Sequence, residues 1–212
     1  MADPARFAVA VLAAGQSRRF GPDDKLAARF QGALLGEAVC RTLAGLDFSR
    51  RWVIAARAEH PCAAGWQAHG FAIAVNAQAE AGLGTSVALA ATLALQANAP
   101  GLLIALADMP LVPAGHFQAL LARAATNAPS AIVASAADGI PMPPAAFGRD
   151  HLPRLAALIG DSGARALLDR AELVTCAPEW LIDIDTRPAL DRAGRAGFSP
   201  LTEPRGSGES RE

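Results

Sequence analysis

The sequence predicts an α/β fold, a three-layer sandwich around a mostly parallel central sheet. Two observations carry this. Short apolar runs recur at 7–13, 52–56, 71–75, 102–107 and 131–134. Between them lie Ala- and Leu-rich stretches of helical composition and length, at 34–46, 85–97 and 114–125. Strand–helix alternation of this kind implies βαβ units. The first run, Phe-Ala-Val-Ala-Val-Leu-Ala, is almost unbroken, so it reads as a strand buried on both faces, with a loop at Ala14-Gly15. The stretch 136–147 contains Gly139, Pro141, Pro143 and Pro144, which disfavours a regular helix or a central strand and predicts an ordered crossing loop. Helices are expected to resume at 152–158 and 164–170. Strands follow at 173–176 and, more briefly, at 181–184. From residue 194 to residue 212 the chain is rich in Gly, Ser, Pro and charge, the composition of a disordered tail.

Composition narrows the function. The 212 residues suffice for one large domain, and 52% are hydrophobic against 18% charged. A formal net charge of -1 lacks the basic footprint of a nucleic-acid binder. No apolar run reaches the length of a membrane span, and the N-terminus lacks the pattern of a signal peptide. Cys40, Cys62 and Cys176 are odd in number and widely spaced, as free thiols in a reducing compartment would be. The expected location is cytoplasmic.

The loop after the first strand is the richest segment. In Leu12-Ala13-Ala14-Gly15-Gln16-Ser17-Arg18-Arg19-Phe20-Gly21, with Lys25 close behind, small residues let the backbone approach a ligand. Consecutive backbone N–H groups there form an anion-binding concavity, and three cations lie within one short stretch. That combination suits a triphosphate, although surface Arg and Lys are often merely solvated. No Walker A loop occurs.

Asp108, in Ala107-Asp108-Met109-Pro110, ends the strongest apolar strand. A carboxylate in that place can hold Mg²⁺ or serve a turn. Gly82-Leu83-Gly84-Thr85-Ser86 opens a helix, where N–H groups and two hydroxyls could grip a polar group or where Thr85 or Ser86 could cap. In Gly160-Asp161-Ser162-Gly163-Ala164-Arg165 a capping role for Asp161 or Ser162 competes with an acceptor-binding one, and Arg165 could bind phosphate or pair with a carboxylate. In Asp183-Ile184-Asp185-Thr186, alternation places both carboxylates on one side, as metal ligands or as a strand end with Asp185 capping the next helix. His60, His69, His116 and His151 show no metal-ligand spacing and read as core or surface residues.

These motifs resemble, in order and to about residue 192, the signature Leu-x-Ala-Gly-x-Ser-x-Arg-x-Gly…Lys and the later motifs of the NTP-transferase superfamily. The Leu-Ala-Ala-Gly form is similar to the molybdenum cofactor cytidylyltransferase branch. The resemblance implies a Rossmann-like sandwich of the nucleotide-diphospho-sugar transferase type, in a single nucleotidyltransferase domain over residues 1–193. It implies that Leu12, Ala13, Ala14, Gly15, Gln16 and Ser17 cradle the triphosphate, and that Gly82, Thr85 and Ser86 contact the base. It makes Arg19 and Lys25 catalytic, with Mg²⁺ on Asp108 and Asp185. The expected substrates are CTP, or another NTP, and a molybdopterin-type acceptor, with a molybdoenzyme or its maturation chaperone as partner. Three departures stand out. Pro22-Asp23-Asp24 lengthens the loop, Ala33 replaces a proline, and Gly139-Ile140-Pro141 replaces Gly-His-Pro. A non-catalytic cofactor-binding chaperone is a rival reading, opposed by the joint presence of Arg19, Lys25 and Asp108. A nicotinamide-dependent oxidoreductase is opposed by the missing G-x-G-x-x-G after the first strand.

Overall fold

The computed structural model describes residues 7–15, 20, 24–160 and 167–195. Its first strand, β1 (Ala8–Ala13), is buried along its whole length. Alternation sends Val9, Val11 and Ala13 to one core and Ala8, Ala10 and Leu12 to the other. A small hairpin, β2 (Arg29–Phe30) with β3 (Ala33–Leu34), leads to α1 (Ala38–Ala44). Next come β4 (Arg50–Ala55), α2 (Ala63–Ala68), β5 (Ala72–Val75), α3 (Leu83–Gln96) and β6 (Gly101–Leu106). The remaining elements are α4 (Ala114–Thr126), β7 (Ile132–Ala137), β8 (Ile140–Gly148), α5 (Leu152–Ala156), β9 (Glu172–Thr175) and α6 (Arg187–Arg195).

Seven strands form one sheet in the order β5-β4-β1-β6-β8-β7-β9. All neighbours are parallel except β8, which runs antiparallel to β6 and β7. One core holds Val39 and Leu43 of α1, Trp66 of α2 and Phe117 and Leu120 of α4. The other holds Val87, Ala90, Ala91 and Ala94 of α3 and Leu152 and Leu155 of α5. The alanines of α3 share that core with Ala8 and Ala10, so small side chains on both sides bring helix and strand close. The three-layer α/β sandwich is therefore the fold.

Two expectations need correction. Residues 136–147 do not form a crossing loop: most of them make the hairpin of β7 and β8. Asp138 and Gly139 have φ 51° and 76°, the two positive values that a two-residue primed hairpin turn requires. The prolines fit because the register shifts between Ala134, paired with Ala145, and Ser135, paired with Met142. That bulge leaves Pro143 and Pro144 out of the ladder, and β6 pairs only with Ala145 to Gly148. The Ser135 hydroxyl, fully buried, donates to the Pro144 carbonyl oxygen at 2.8 Å and accepts from His116 Nε2 at 2.8 Å. The second correction concerns 181–184, which is not a strand. Pro178–Leu181 is a 3-10 turn, and the extended residues 182–184 after it make one backbone hydrogen bond among the described residues, Ile184 N–H to Asp108 O at 2.9 Å.

Ser135→Ala should destabilise the protein by about 1–3 kcal/mol, the cost of a buried carbonyl left without its donor. Urea unfolding checks this, and an unchanged midpoint would show that the bulge is held by other contacts.

Candidate functional site

The parallel strands β1, β4, β5 and β6 all end on one edge, and the site is assembled from the loops there. Lys25 opens a 3-10 turn, Lys25–Ala27, whose N-cap Asp24 accepts from Leu26 N–H at 3.0 Å. The Lys25 ammonium is 2.6 Å from Asp108 Oδ2 and 2.6 Å from Asp185 Oδ1. These partners lie 83 and 160 residues away in sequence. Asp108 stands just past the end of β6, where Ala107 N–H continues the sheet pattern by donating to Leu12 O at 3.0 Å. Asp185 follows Ile184, which is completely buried in a small cluster with Phe30, Leu35, Ala38 and Ala193. Sinking Ile184 there leaves Asp183 and Asp185 on the other side of the extended segment.

Charge dominates this corner. Burial by itself would depress the Lys25 pKa, but the adjacent Asp108 and Asp185 outweigh it and hold the ammonium above its ordinary value. Asp183 is pushed up to about 6, chiefly by burial and then by repulsion from Asp108 and Asp185, with Lys25 opposing. Asp108 and Asp185 side chains keep 21% and 40% of their exposure, so an incoming ligand can reach both. No set of three or more His, Cys, Asp or Glu side chains among the described residues is grouped to hold a metal. Two open carboxylates converging on one cation nonetheless match the donor set of Mg²⁺, which takes one or two carboxylates and completes its shell with phosphate oxygens and water.

The base-side segment is built differently from the sequence reading. Gly82 caps α3 with φ 122°, a backbone conformation that favours glycine, and neither Thr85 nor Ser86 is the N-cap. Both are buried in the first turn. Asn76 Nδ2 donates to Thr85 Oγ1 and to Ser86 Oγ, each at 2.9 Å, while Thr85 Oγ1 also lies 2.8 Å from Gly82 O and 3.0 Å from Gln78 O. Gly84 N–H donates to Gly160 O at 2.8 Å, and a Cβ on Gly84 would overlap that carbonyl. Glycine at 84 is thus required for close approach of α3 to the 160 region.

Of the other sequence candidates, Leu12, Ala13 and Ala14 are buried at the end of β1 and just beyond it, and Gly15 is exposed next to them. The Leu12 side chain lines a small apolar cavity of about 50 Å³ with Leu83, Leu106 and Pro143. Gln16, Ser17 and Arg19, and likewise Asp161 to Arg165, lie outside the described residues. Sequence reasoning missed Asn76, which carries no motif, and the pair Asp24–His60, whose only signal was the helix-capping chemistry of an Asp before a short turn. His116 is a buried core histidine, its pKa lowered by burial, and its Ser135 partner is too deep to act as a nucleophile. The three cysteines are free, and burial raises the thiols of Cys40 and Cys62, the latter to about 12.

Charged groups gathered past the carboxyl ends of the central strands of an open, mostly parallel sheet occupy the edge at which α/β proteins of this class generally bind ligands. Residues 9–175 match the model of the MobA-like NTP transferase domain, and the chain belongs to that family. It is 33% identical over 203 residues to the purine catabolism protein PucB of Bacillus subtilis strain 168, covering 87% of this chain and 94% of that protein. A nucleotidyl transferase from Methanothermobacter thermautotroptrophicus superposes with a TM-score of 0.71 at 21% identity, covering 90% of this chain and 96% of that one. The molybdopterin-guanine dinucleotide biosynthesis protein A of Archaeoglobus fulgidus does so with a TM-score of 0.61 at 18% identity, covering 90% and 98%. These likenesses establish the fold, and the family makes nucleotidyl transfer the reaction class. No described helix is long and apolar enough to cross a membrane.

The Asp24 carboxyl is held below its ordinary pKa, foremost by the hydrogen bond from His60 and against the opposing effect of burial. A carboxylate depressed in the folded state contributes stability that is present above its unfolded value of about 4 and is lost as pH falls through the folded value. Asp24→Asn should therefore be less stable than wild type at pH 7, and the gap should close below about pH 4. Urea midpoints across that range test it, and a gap that stays constant with pH would contradict it.

Proposed function

We propose that this chain transfers CMP from CTP to a phosphorylated acceptor of the molybdopterin type and releases pyrophosphate. The observation that carries the reading is Lys25, fixed between Asp108 and Asp185 beside the end of β1. An acceptor phosphate oxygen attacks the α-phosphorus in line, and pyrophosphate leaves. The acceptor is already anionic, so the protein need supply no nucleophile: its work is positioning and charge stabilisation. The loop after β1, residues 12–17, would receive the triphosphate. Lys25 and Arg19 offset the charge that builds on the phosphates. Asp108 and Asp185 would hold Mg²⁺, which neutralises phosphate charge and orients the reacting oxygens when bound. Gly82, Thr85 and Ser86 form the base-facing wall.

Cytosine as the base rests on the Leu12-Ala13-Ala14-Gly15 form of the loop. The acceptor class is supported by the family and by the molybdopterin-guanine dinucleotide protein among the structural relatives. A molybdoenzyme or its maturation chaperone is the partner that would receive such a product. The experiment is pyrophosphate release from each of the four NTPs with Mg²⁺, with and without molybdenum-loaded molybdopterin. Release confined to CTP and dependent on the acceptor is the expected result. Release with another base would keep the chemistry and overturn the base assignment, and no release with any NTP would overturn the enzyme. Lys25→Ala and Asp108→Asn should each lower turnover by about 10³-fold in that assay, and near-normal turnover in either would remove that residue from the mechanism.

A further inference from the structure

A three-residue 3-10 turn has little stability of its own, yet Lys25 sits in one. Besides the packing of Leu26 in the core, the loop between β4 and α2 holds the turn through polar contacts. His60, only 7% exposed, lies 2.7 Å through Nε2 from Asp24 Oδ2. Cys62 N–H donates to His60 Nδ1 at 3.1 Å, so Nδ1 is the acceptor and Nε2 carries the proton given to Asp24. The imidazole stacks on Trp66 with ring centroids 4.6 Å apart, and Trp66 Nε1–H donates to Gly36 O at 2.7 Å. The Cys62 thiol donates to Leu26 O at 3.2 Å. The loop therefore grips the Lys25 turn at Asp24 and again at Leu26, and the ring that makes the first grip is fixed on its edge and on its face.

We propose that His60 is a positioning residue for Lys25, acting through Asp24 to hold the ammonium where Asp108 and Asp185 meet it. This rests on the reading of Lys25 as the cation that acts on the phosphates. A histidine that only filled the core would need neither a polar hydrogen on Asp24 nor a fixed tautomer. Glutamine can copy both functions, giving an amide N–H to Asp24 and an amide oxygen to Cys62 N–H. Leucine fills similar space and copies neither.

The test compares the full-length wild type with His60→Gln, His60→Leu, Lys25→Ala and the double variant Lys25→Ala/His60→Leu, using CTP-dependent pyrophosphate release. His60→Leu should lower kcat by roughly 10- to 100-fold, the penalty of a small misplacement at a reacting centre, with a lesser change in KM for CTP. His60→Gln should recover most of that loss, and the double variant should be no slower than Lys25→Ala alone. A folded His60→Leu protein with wild-type kcat, or losses that multiply in the double variant, would overturn the positioning role and leave Lys25 in place. Wild-type turnover in Lys25→Ala would instead overturn the reading of Lys25. Should His60→Leu not fold, His60→Asn, too short to span both partners, replaces it, and equal kcat in the Asn and Gln variants would overturn the proposal. The NMR shifts of the Lys25 ε-methylene report its ion pairs without any substrate. They should move in the Leu or Asn variant and return in the Gln variant, and shifts unchanged throughout would overturn the role of His60 whatever the activity.

Discussion

The contact on which this site depends is one ammonium shared by two carboxylates. Lys25, Asp108 and Asp185 come from three segments that have no local reason to meet, and the 2.6 Å bonds join them past the end of the sheet. The cluster is not a device for stability, since partly exposed ion pairs contribute little. Its effect is on charge placement. Without the cation, Asp108, Asp183 and Asp185 would face one another; burial first, and repulsion from the other two carboxylates second, push Asp183 up to about 6 even with Lys25 opposing. A cluster balanced in this way responds to any added phosphate or divalent cation, because each changes the charge that the carboxylates and the ammonium experience.

The rest of the fold is arranged to bring those groups to one edge. The doubly buried β1 sits between β4 and β6, and all three end at the same level. The β1 end delivers Ala14 and Gly15, the β6 end delivers Asp108, and the β4 end delivers the loop that carries His60. Helix α3 approaches closely because its inner face is alanine, which brings Gly82 and the buried Asn76–Thr85–Ser86 cluster to the same edge. Ile184 adds the last piece by burying itself next to α1 and α6, and so presents Asp185 to Lys25.

Much of this was legible in the sequence, where periodicity was strong or a motif named the residue. The strands that are buried on both faces announced themselves as apolar runs, and Lys25, Asp108 and Asp185 were singled out although only folding reveals that they touch. The failures have physical causes. Three prolines argued against β8, but a bulge removes two of them from the ladder, and the Asp138-Gly139 turn was the overlooked hairpin signal. Alternation over 181–184 resembled a strand, whereas one hydrogen bond and a buried Ile184 produce the same spacing without a ladder. In the sequence Thr85 and Ser86 read as caps or base contacts, and their engagement by Asn76 depends on a residue whose position no local pattern encodes. His60 carries no motif in the sequence, where a lone histidine is usually structural, and only its two-sided hydrogen bonding marks it out.

On the proposed function, the Lys25–Asp108–Asp185 cluster receives the phosphates of the nucleotide together with a divalent cation. A crystal structure with a non-hydrolysable CTP analogue and Mn²⁺ in place of Mg²⁺ tests it most directly, because the anomalous signal locates the metal independently of the model. The account predicts one manganese peak within coordination distance of Asp108 or Asp185, bound also to phosphate oxygens, with the triphosphate along residues 12–17. A nucleotide bound with its phosphates away from Lys25, or manganese held by other residues, would contradict it.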